Sequence, residues 1–411
     1  MATLLATSHR TITARALPRA ASFWVVAATT AVLVSASSAP SPLYPVYQAE
    51  FGFSPITLTA IFAAYVLTLL TSLLTVGRLS DYLGRRPVLA AALVLEAAAM
   101  AIFLDAHGVP ALFAARLVQG FATGAAIGVV GAYLLDLQPP TGSRLGSLVN
   151  SAAATGGLGI GAVLSGTLIQ YAPHPTRLIF AVLTATFLTL ALATVALPES
   201  VDRKAGALAT LRPQVSVPAA ARRALTQAVP TMASTWMIGG LMFSVGGSLL
   251  TAVFAQHNSA VVGLVLGGFA GSAAVSSLVL RNRAPEDMER FGTTALFGGT
   301  ALFTLSLVTT SLSTFVAAAL IAGTGFGPAF LGAFRTVSQL AEPHERAGLI
   351  SAIYVVSYLA FSIPALIAGL LITHVGLRDT ALGYSAIVAA VVAGTLTYRY
   401  AMTAIAARVR S

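Results

Sequence analysis

The 411-residue chain contains no cysteine, which excludes disulfides and thiolate-bound metal ions. Its single lysine, Lys204, does not follow a glycine-rich loop, so the sequence has no Walker A motif and predicts no ATP hydrolysis by that route. The six histidines are scattered with no pair at metal-ligand spacing, and no Ser/His/Asp constellation is visible. The sequence therefore predicts no enzymatic activity, no metal site and no bound cofactor.

Charged residues are also scarce, at 9% of the chain against 57% hydrophobic residues. A soluble domain carries about a quarter of charged residues, so we predict a polytopic membrane protein whose surroundings are the lipid bilayer. The net charge of +10 could indicate nucleic-acid binding. Because the basic residues lie in short loops between apolar runs, the positive-inside rule accounts for them instead, and no nucleic-acid partner is predicted.

Twelve apolar runs, each near the ~20 residues that a helix needs to cross a bilayer, fall into two groups of six. The runs lie at about 20–39, 54–76, 87–106, 110–136, 145–170 and 176–197, and then at about 229–255, 260–280, 291–310, 313–339, 347–372 and 380–402. We predict an all-α membrane protein with a tail (1–19), a six-helix bundle (20–197), a polar linker (198–228), a second six-helix bundle (229–402) and a tail (403–411).

The first run follows three arginines and is open to two interpretations. A small-residue stretch at 35–39 is similar to a signal-peptide cleavage site, but the run is long for a signal peptide and many spans follow it. We therefore interpret it as a retained first helix. We expect this helix to end at Pro40, Pro42 and Pro45, because three prolines in six residues do not continue a helix.

The distribution of positive charge predicts the orientation. Of the 23 Lys and Arg residues, all but four fall on the side of the two termini. The exceptions are Arg177 and Arg378 in loops on the opposite side, and Arg116 and Arg335 within spans. The positive-inside rule then places both termini in the cytoplasm.

A charged segment at 77–86, which we name the motif loop, joins the second and third runs. Asp81 is its only acid and lies among Arg78, Arg85 and Arg86, so it is set up to form ion pairs. The segment resembles the loop motif G-x-L-x-D-x-x-G-R-R between helices 2 and 3 of the major facilitator superfamily. One departure is Tyr82, where the family often has a basic residue.

This resemblance implies twelve transmembrane helices in two bundles, and transport of a small molecule by a monomer that uses an ion gradient. Asp136 resembles the family's acid at the end of helix 4, which joins the arginines of the motif in an inner gate. The expected gate network comprises Gly77, Asp81, Gly84, Arg85, Arg86, Asp136 and Arg144.

Helix 4 resembles the family's motif B, R-x-x-Q-G-x-x-x-G, through Arg116, Gln119, Gly120 and Gly124. An arginine inside a span is costly, so it is expected to face a cavity or a partner, and in the family it is linked to proton coupling. The alternative is that Arg116 reaches the membrane surface by snorkelling. The glycines are also spaced for close packing of helices.

Helix 5 resembles the antiporter motif G-x-x-x-G-P-x-x-G-G through Gly157, Gly161 and Gly166, with Ala162 and Ser165 as departures. The family associates that motif with exporters. The glycines are also candidates for helix packing.

Glu96 lies in the middle of helix 3 and is a candidate for proton coupling beside Arg116 and Gln119, because an intramembrane carboxylate is by default a functional candidate. Two observations oppose this. The family's layout puts helix 3 outside the ring of helices that line the cavity. Helix 1 here contains no acid, although many drug exporters of the family carry one there.

The same layout points to helices 1, 4, 7 and 10 as the walls of the substrate cavity. Their aromatic and methionine side chains suit an amphipathic organic substrate, and each could instead face lipid. The candidates are Phe23, Trp24, Tyr133, Trp236, Met237, Met242, Phe243, Phe326 and Arg335.

The second half of the sequence repeats the first at an offset of about 203 residues. Gly120 and Gly124 correspond to Gly323 and Gly327, as expected for a duplicated bundle, whereas the acid of the motif loop becomes Ala284. We therefore expect a proton-coupled exporter of a small organic compound in a bacterial inner membrane, working by alternating access. The alternatives are a proton-coupled importer of a metabolite and a non-transporting receptor or scaffold on the same fold.

Overall fold

The computed structural model describes residues 17–139, 145–342 and 344–410, and the regular structure within these ranges is helical. The first half contains α1 (Arg19–Ser38), α2 (Tyr44–Phe51), α3 (Pro55–Val76), α4 (Ser80–Leu83), α5 (Arg85–Leu104), α6 (Val109–Leu137), α7 (Leu145–Tyr171) and α8 (Leu178–Thr194). The second half contains α9 (Ala219–Ser244), α10 (Gly246–Ala252), α11 (Ser259–Val279), α12 (Pro285–Thr309), α13 (Leu312–Ser338), α14 (Arg346–Val375) and α15 (Leu377–Arg410). Short 3-10 helices lie at Ser41–Leu43 and Ala207–Leu211.

The described helices account for twelve spans. Ten segments are long and apolar enough to cross a membrane, with α1 and α2 counted as one segment over Arg19–Phe51. The pair α9 and α10, bent by 52°, makes an eleventh, and the 17-residue apolar helix α8 is the twelfth. The predicted fold class, an all-α membrane protein of twelve helices, is confirmed.

The first helix ends at its prolines, as expected, because α1 stops at Ser38, two residues before Pro40. The chain passes Pro40 into the 3-10 helix Ser41–Leu43 and continues as α2 to Phe51. Pro42 and Pro45 lie in the first turns of these two helices, where a backbone N–H has no intrahelical partner to lose.

Two boundaries differ from the sequence pattern. The linker expected at 198–228 is helical from Ala219 onward, because α9 extends beyond its apolar part. Helix α12 starts at Pro285, six residues before the apolar run that we assigned to it, and includes Glu289. Glu289 is only 2% exposed, so this acid is buried in the second bundle rather than solvated in a loop.

The internal repeat is visible in the packing. In each half the corresponding helices pair: α3 with α6 as α11 with α13, α5 with α6 as α12 with α13, and α1 with α7 as α9 with α14. Gly120 of α6 lies against the backbone carbonyl of Tyr65, and Gly323 of α13 lies in the same way against the carbonyl of Phe269. The two bundles therefore share one frame.

The two bundles meet through α7 with α11 and through α3 with α14. We name the end of the bundles that carries α4 the motif end, and the opposite end the distal end. A Cβ added to Gly166 of α7 would lie 2.8 Å from the Cα of Gly263 of α11, so backbones touch there. Nearer the middle, the rings of Phe62 and Phe361 are 5.0 Å apart.

Hydrogen bonds also join the bundles at the distal end. Ser248 donates to the Gln48 side chain at 3.0 Å, and the backbone N–H of Ser259 donates to the Gln170 side chain at 2.9 Å. At the motif end, by contrast, the linker bridges the halves, because the N–H of Ser216 donates to the carbonyl of Gly348 at the start of α14 (3.3 Å). The bundles are thus closed on each other at the distal end.

Candidate functional site

The motif loop is organised around the guanidinium of Arg85, which is mostly buried. Its Nη1 donates to Asp81 Oδ1 at 2.5 Å and to Ser80 Oγ at 2.7 Å, and its Nε donates to Asp136 Oδ2 at 3.2 Å. Asp81 reaches Arg85 because the chain reverses at Gly84, between α4, which carries Asp81, and α5, which begins at Arg85. The loop predicted from the sequence is therefore a short helix that presents Asp81 to Arg85 and Asp136.

Gly84 makes the sharp turn between α4 and α5. Its φ is +100°, in a region that favours glycine, and a Cβ there would lie 2.6 Å from Glu199 Oε2. Gly77, at the other end of the loop, lies against the carbonyl of Leu73, so it also leaves no room for a Cβ.

Glu199 is a member of this network that our sequence analysis missed. Its carboxylate accepts hydrogen bonds from the backbone N–H groups of Arg85 (2.7 Å) and Arg86 (3.1 Å), which are otherwise unpaired at the start of α5. Ser200 beside it donates to Asp136 at 2.8 Å. The available signal was an acid directly after the sixth span, on the same side of the membrane as the motif loop.

The other arginines near the motif loop do not contact Asp81 in the way that the sequence suggested. Arg78 donates to the Gln214 side chain in the linker, Arg86 donates to the carbonyl of Val195, and Arg19 donates to the backbone carbonyl of Asp136. Arg144, which we expected in the same network, lies outside the described residues. The described network thus joins the first bundle to the linker.

A second polar site is buried inside the first bundle around Arg116, which is 0% exposed. The guanidinium donates from Nη2 to the Tyr44 hydroxyl at 2.6 Å, and from Nη1 to Gln119 Oε1 at 2.8 Å and the Ser37 carbonyl at 3.2 Å. The Tyr65 ring lies 5.0 Å from its Cζ, close enough for a cation–π contact. Snorkelling is therefore excluded, because this side chain stays inside the bundle.

Glu96 lies in the same buried region and is also 0% exposed. Thr123 of α6 donates to Glu96 Oε1 at 2.5 Å, whereas Glu96 Oε2 has no hydrogen-bond partner among the described residues. The hydroxyl of Tyr65 donates to Ser37 at 2.7 Å. Helix α5 therefore directs Glu96 toward α6 and Arg116 rather than toward lipid, although this helix packs on the outer side of α6.

The third feature is an aromatic cluster in the second bundle, centred on Trp236 and located midway along α9. Its indole lies next to rings from α13 and α14, and its Nε1 is buried without a hydrogen-bond partner among the described residues. The ring centroids around Trp236 are Phe326 at 6.1 Å, Phe330 at 5.5 Å, Tyr358 at 5.1 Å and Phe361 at 5.3 Å.

The family sequence model of the Major Facilitator Superfamily matches residues 26–364, which include the motif loop, Arg116 and the aromatic cluster. The chain belongs to the major facilitator superfamily. Two solved structures share its fold. The human organic anion transporter MFSD10 (TETRAN) has a TM-score of 0.65 and 17% identity, over 92% of this chain and 100% of that chain.

The second structure is a variant of the nucleoside transporter NupG, with a TM-score of 0.67 and 15% identity over the same shares of the two chains. At these identities the likeness shows the fold alone. No curated protein matches this sequence. The superfamily and both structural neighbours are transporters, which supports membrane transport by this chain.

The residues that we expected to line the substrate cavity lie in different parts of the structure. Trp236 and Phe326 come together in the aromatic cluster, and Phe269 extends it from α11 at 5.4 Å from Phe326. Phe243 contacts this extension of the cluster, because its ring lies 6.1 Å from that of Phe269. Trp24 is 59% exposed, whereas its neighbour Phe23 is buried.

The remaining expected cavity residues contact other parts of the chain. Met242 is buried in the core, and the backbone carbonyl of Met237 accepts a hydrogen bond from Tyr384. Tyr133 is fully buried and donates to the carbonyl of Pro198 at 2.6 Å, so it contacts the linker. Arg335 donates to the carbonyl of Arg281 at 3.0 Å near the motif end.

The segment of α7 that resembles the superfamily's antiporter motif packs on α1. Gly157 accepts a hydrogen bond from Ser35 at 2.9 Å through its carbonyl, and Gly161 lies against the Ser35 carbonyl. Ser165, one of the two departures from the motif, donates to the carbonyl of Ala39 at 2.6 Å. The departure therefore adds a hydrogen bond between the two helices.

Proposed function

We propose that this chain is a secondary active transporter that exports a small amphipathic organic compound in exchange for protons. The observation that carries the proposal is the closure of the two bundles on each other at the distal end, next to an aromatic cluster in the second bundle. Such a conformer is one of the two states that alternating access requires, and rocking of the bundles would open the distal end in turn.

The aromatic cluster supports an amphipathic organic substrate. Rings around Trp236 offer flat apolar surfaces, and the buried Nε1 offers a hydrogen-bond donor that no described residue accepts. Leaving such a donor unpaired costs about 1–3 kcal/mol, and an acceptor on a bound compound would recover it. A planar molecule with one polar atom fits this chemistry.

The charged residues support protons as the driving ion and a cytoplasmic motif end. The chain has no Walker A motif to drive transport by ATP, and the buried carboxyl of Glu96 lies beside the motif B residues. The excess of Arg residues at the termini, motif loop and linker supports a cytoplasmic position for these parts.

Reconstitution of the purified chain in liposomes tests the driving force. We would follow ethidium, fluorescein and umbelliferone, which are planar fluorescent probes that differ in charge. In liposomes with an acidic interior, an exchanger accumulates the probe as protons leave. Accumulation of a probe only when the exterior is acidic supports the importer alternative. If none of the three probes accumulates in response to the pH gradient, proton-driven transport is contradicted and a receptor or scaffold is favoured.

The distal closure can be tested with an engineered disulfide, since the chain contains no native cysteine. Gln48→Cys combined with Ser248→Cys replaces a hydrogen-bonded pair that joins the bundles. Oxidation is expected to stop transport and a reductant to restore it, because the distal end can then no longer open. Each single variant serves as the control, and transport by the oxidised double variant contradicts alternating access through this end.

A further inference from the structure

We propose that Glu96 is the residue that binds and releases the coupling proton, and that Arg116 supplies the counter-charge when the proton has left. This rests on the proposed function, and it assigns the coupling site to the interior of the first bundle. The site lies away from the aromatic cluster, on a helix outside the ring that the superfamily layout assigns to the cavity.

The contacts of Glu96 fit an uncharged carboxyl group in this conformer. One oxygen accepts a single hydrogen bond from Thr123, the other has no partner among the described residues, and the side chain is 0% exposed. A buried carboxylate without pairing is costly, so a proton on Glu96 relieves an unfavourable arrangement. No guanidinium hydrogen bond holds the carboxyl in its ionised form here.

Arg116 is positioned to stabilise the other protonation state. Its guanidinium hydrogen bonds end on neutral groups, namely the Tyr44 hydroxyl, the Gln119 amide oxygen and a backbone carbonyl. Arg116 lies on α6 about two helical turns before Thr123, which donates a hydrogen bond to Glu96, so both groups lie along one face of this helix. A buried positive charge without a carboxylate partner is compensated when Glu96 loses its proton.

Other ionisable groups near Glu96 are few. From α3, the ring of Tyr65 lies over Arg116, and from α2, the hydroxyl of Tyr44 accepts a hydrogen bond from Arg116. Helix α8, which packs on α5, has no ionisable side chain over Leu178–Thr194, and α1 has none after Arg19. The nearest residue of the charged motif loop, Arg86, lies about 15 Å away along α5.

The second bundle shows that the fold does not require this arrangement. At the offset of 203, Glu96 corresponds to Gly299 and Arg116 to Ala319, in helices that pair as α5 and α6 do. Gly299 there allows α12 and α13 to pack backbone to backbone, against Ala322. Because the same frame is stable with small apolar residues, the charged pair in the first bundle has a role other than packing.

Tyr65 connects the pair to the interface between the bundles. Its ring lies over the Arg116 guanidinium at 5.0 Å, and its helix α3 packs on α14, which carries Tyr358 next to Trp236. Movement of α3 against α14 therefore changes the surroundings of Glu96 and of the aromatic cluster together. When water reaches the carboxyl group, its O–H bond breaks, the proton passes to water, and the carboxylate remains opposite Arg116.

Infrared difference spectroscopy of the purified chain tests the assignment without a substrate. Between acidic and alkaline pH, we expect the parent to lose the C=O band of a buried, protonated carboxylic acid. The band should be absent from Glu96→Gln, shifted but present in Glu96→Asp, and retained in Glu289→Gln, which removes the buried acid of the second bundle. A band that persists in Glu96→Gln overturns the assignment, as does its loss in Glu289→Gln.

Transport assays separate this inference from the proposed function. With whichever of the three probes the parent moves, Glu96→Gln should lose accumulation driven by the pH gradient but keep probe exchange at equal pH, because exchange needs no net proton transfer. If the pH gradient does not cause the parent to accumulate any probe, the proposed function fails, while the infrared band still decides the protonation of Glu96. If the gradient causes Glu96→Gln to accumulate the probe to the same level as the parent, the proposed function stands and this inference fails.

Discussion

The two bundles share a frame but differ at the same positions inside it. Where the first bundle has Glu96, Arg116 and Thr123, the second has Gly299, Ala319 and Phe326 at the offset of 203. The first set is a buried polar site, whereas Phe326 belongs to the aromatic cluster. We therefore expect a division of labour between the bundles, with proton binding in the first and an aromatic surface in the second.

The motif end shows the same divergence. In the first bundle, Arg85 is held by Asp81 and Asp136, whereas the equivalent of Arg85 in the second bundle is Met288, which is fully buried. The positions of Asp81 and Arg85 are Ala284 and Met288 in the second bundle, so this particular network is not repeated there.

The largest effect is expected for Arg116→Ala. This change leaves Tyr44 and Gln119 buried without their partner, at a cost of about 1–3 kcal/mol for each group left unsatisfied. It also removes the counter-charge, so transport driven by a pH gradient should be lost. The matched variant Ala319→Ser in the second bundle should keep transport in liposomes and thermal stability in detergent. Equal losses in both variants would contradict the division of labour.

Glycine substitutions should affect the two bundles alike, because they test the shared frame. Gly124 lies against the Leu69 carbonyl, and Gly327 lies against the Ala273 carbonyl. Overpacking by one methyl group typically costs about 1–3 kcal/mol, so Gly124→Ala and Gly327→Ala should lower the thermal stability in detergent by similar amounts. Gly271→Ala, where nothing lies within 4 Å of the added Cβ, is the control. A loss confined to one bundle would show that the frames are not equivalent.

Arg85→Ala should reduce transport with a smaller effect on stability. Its ion-pair partners are partly exposed, at 46% for the Asp81 side chain and 31% for that of Asp136, and such pairs contribute about 1 kcal/mol or less. Initial transport rates should fall because the network that holds the motif end is lost, whereas Met288→Leu should keep the parent rate. Unchanged transport by folded Arg85→Ala would remove this network from the mechanism.

The smallest effect is expected for Glu199→Ala. This variant removes the carboxylate that caps α5, and loss of such a cap costs about 1 kcal/mol. The thermal midpoint should drop slightly, while Asp202→Ala in the same linker should have no effect. A drop as large as that of Arg116→Ala would mean that Glu199 does more than cap a helix.

Much of the candidate site could be predicted from the sequence because its residues lie in compact motifs. Asp81 and Arg85 lie on either side of the turn at Gly84, and Arg116 and Gln119 lie on one helix face, so the members of each pair are close along the chain. Glu199 and Tyr65 could not be found in this way, because they reach the motifs from segments more than fifty residues away in the chain. We assigned Tyr133 to the substrate cavity because helix 4 is expected to line that cavity. In the structure the hydroxyl of Tyr133 donates instead to the carbonyl of Pro198.

The sequence by itself determined the membrane class, the twelve spans and the repeat. Long apolar runs and the charges of the loops between them are local properties of the chain, and they alone determine which segments cross a bilayer and in which direction. Only the tertiary structure decided that Glu96 faces α6 beside Arg116, that Glu289 is buried, and that the bundles close at the distal end. These outcomes depend on which face each helix turns toward its neighbours. A membrane helix that is apolar on all faces gives no amphipathic pattern, so its sequence does not specify that orientation.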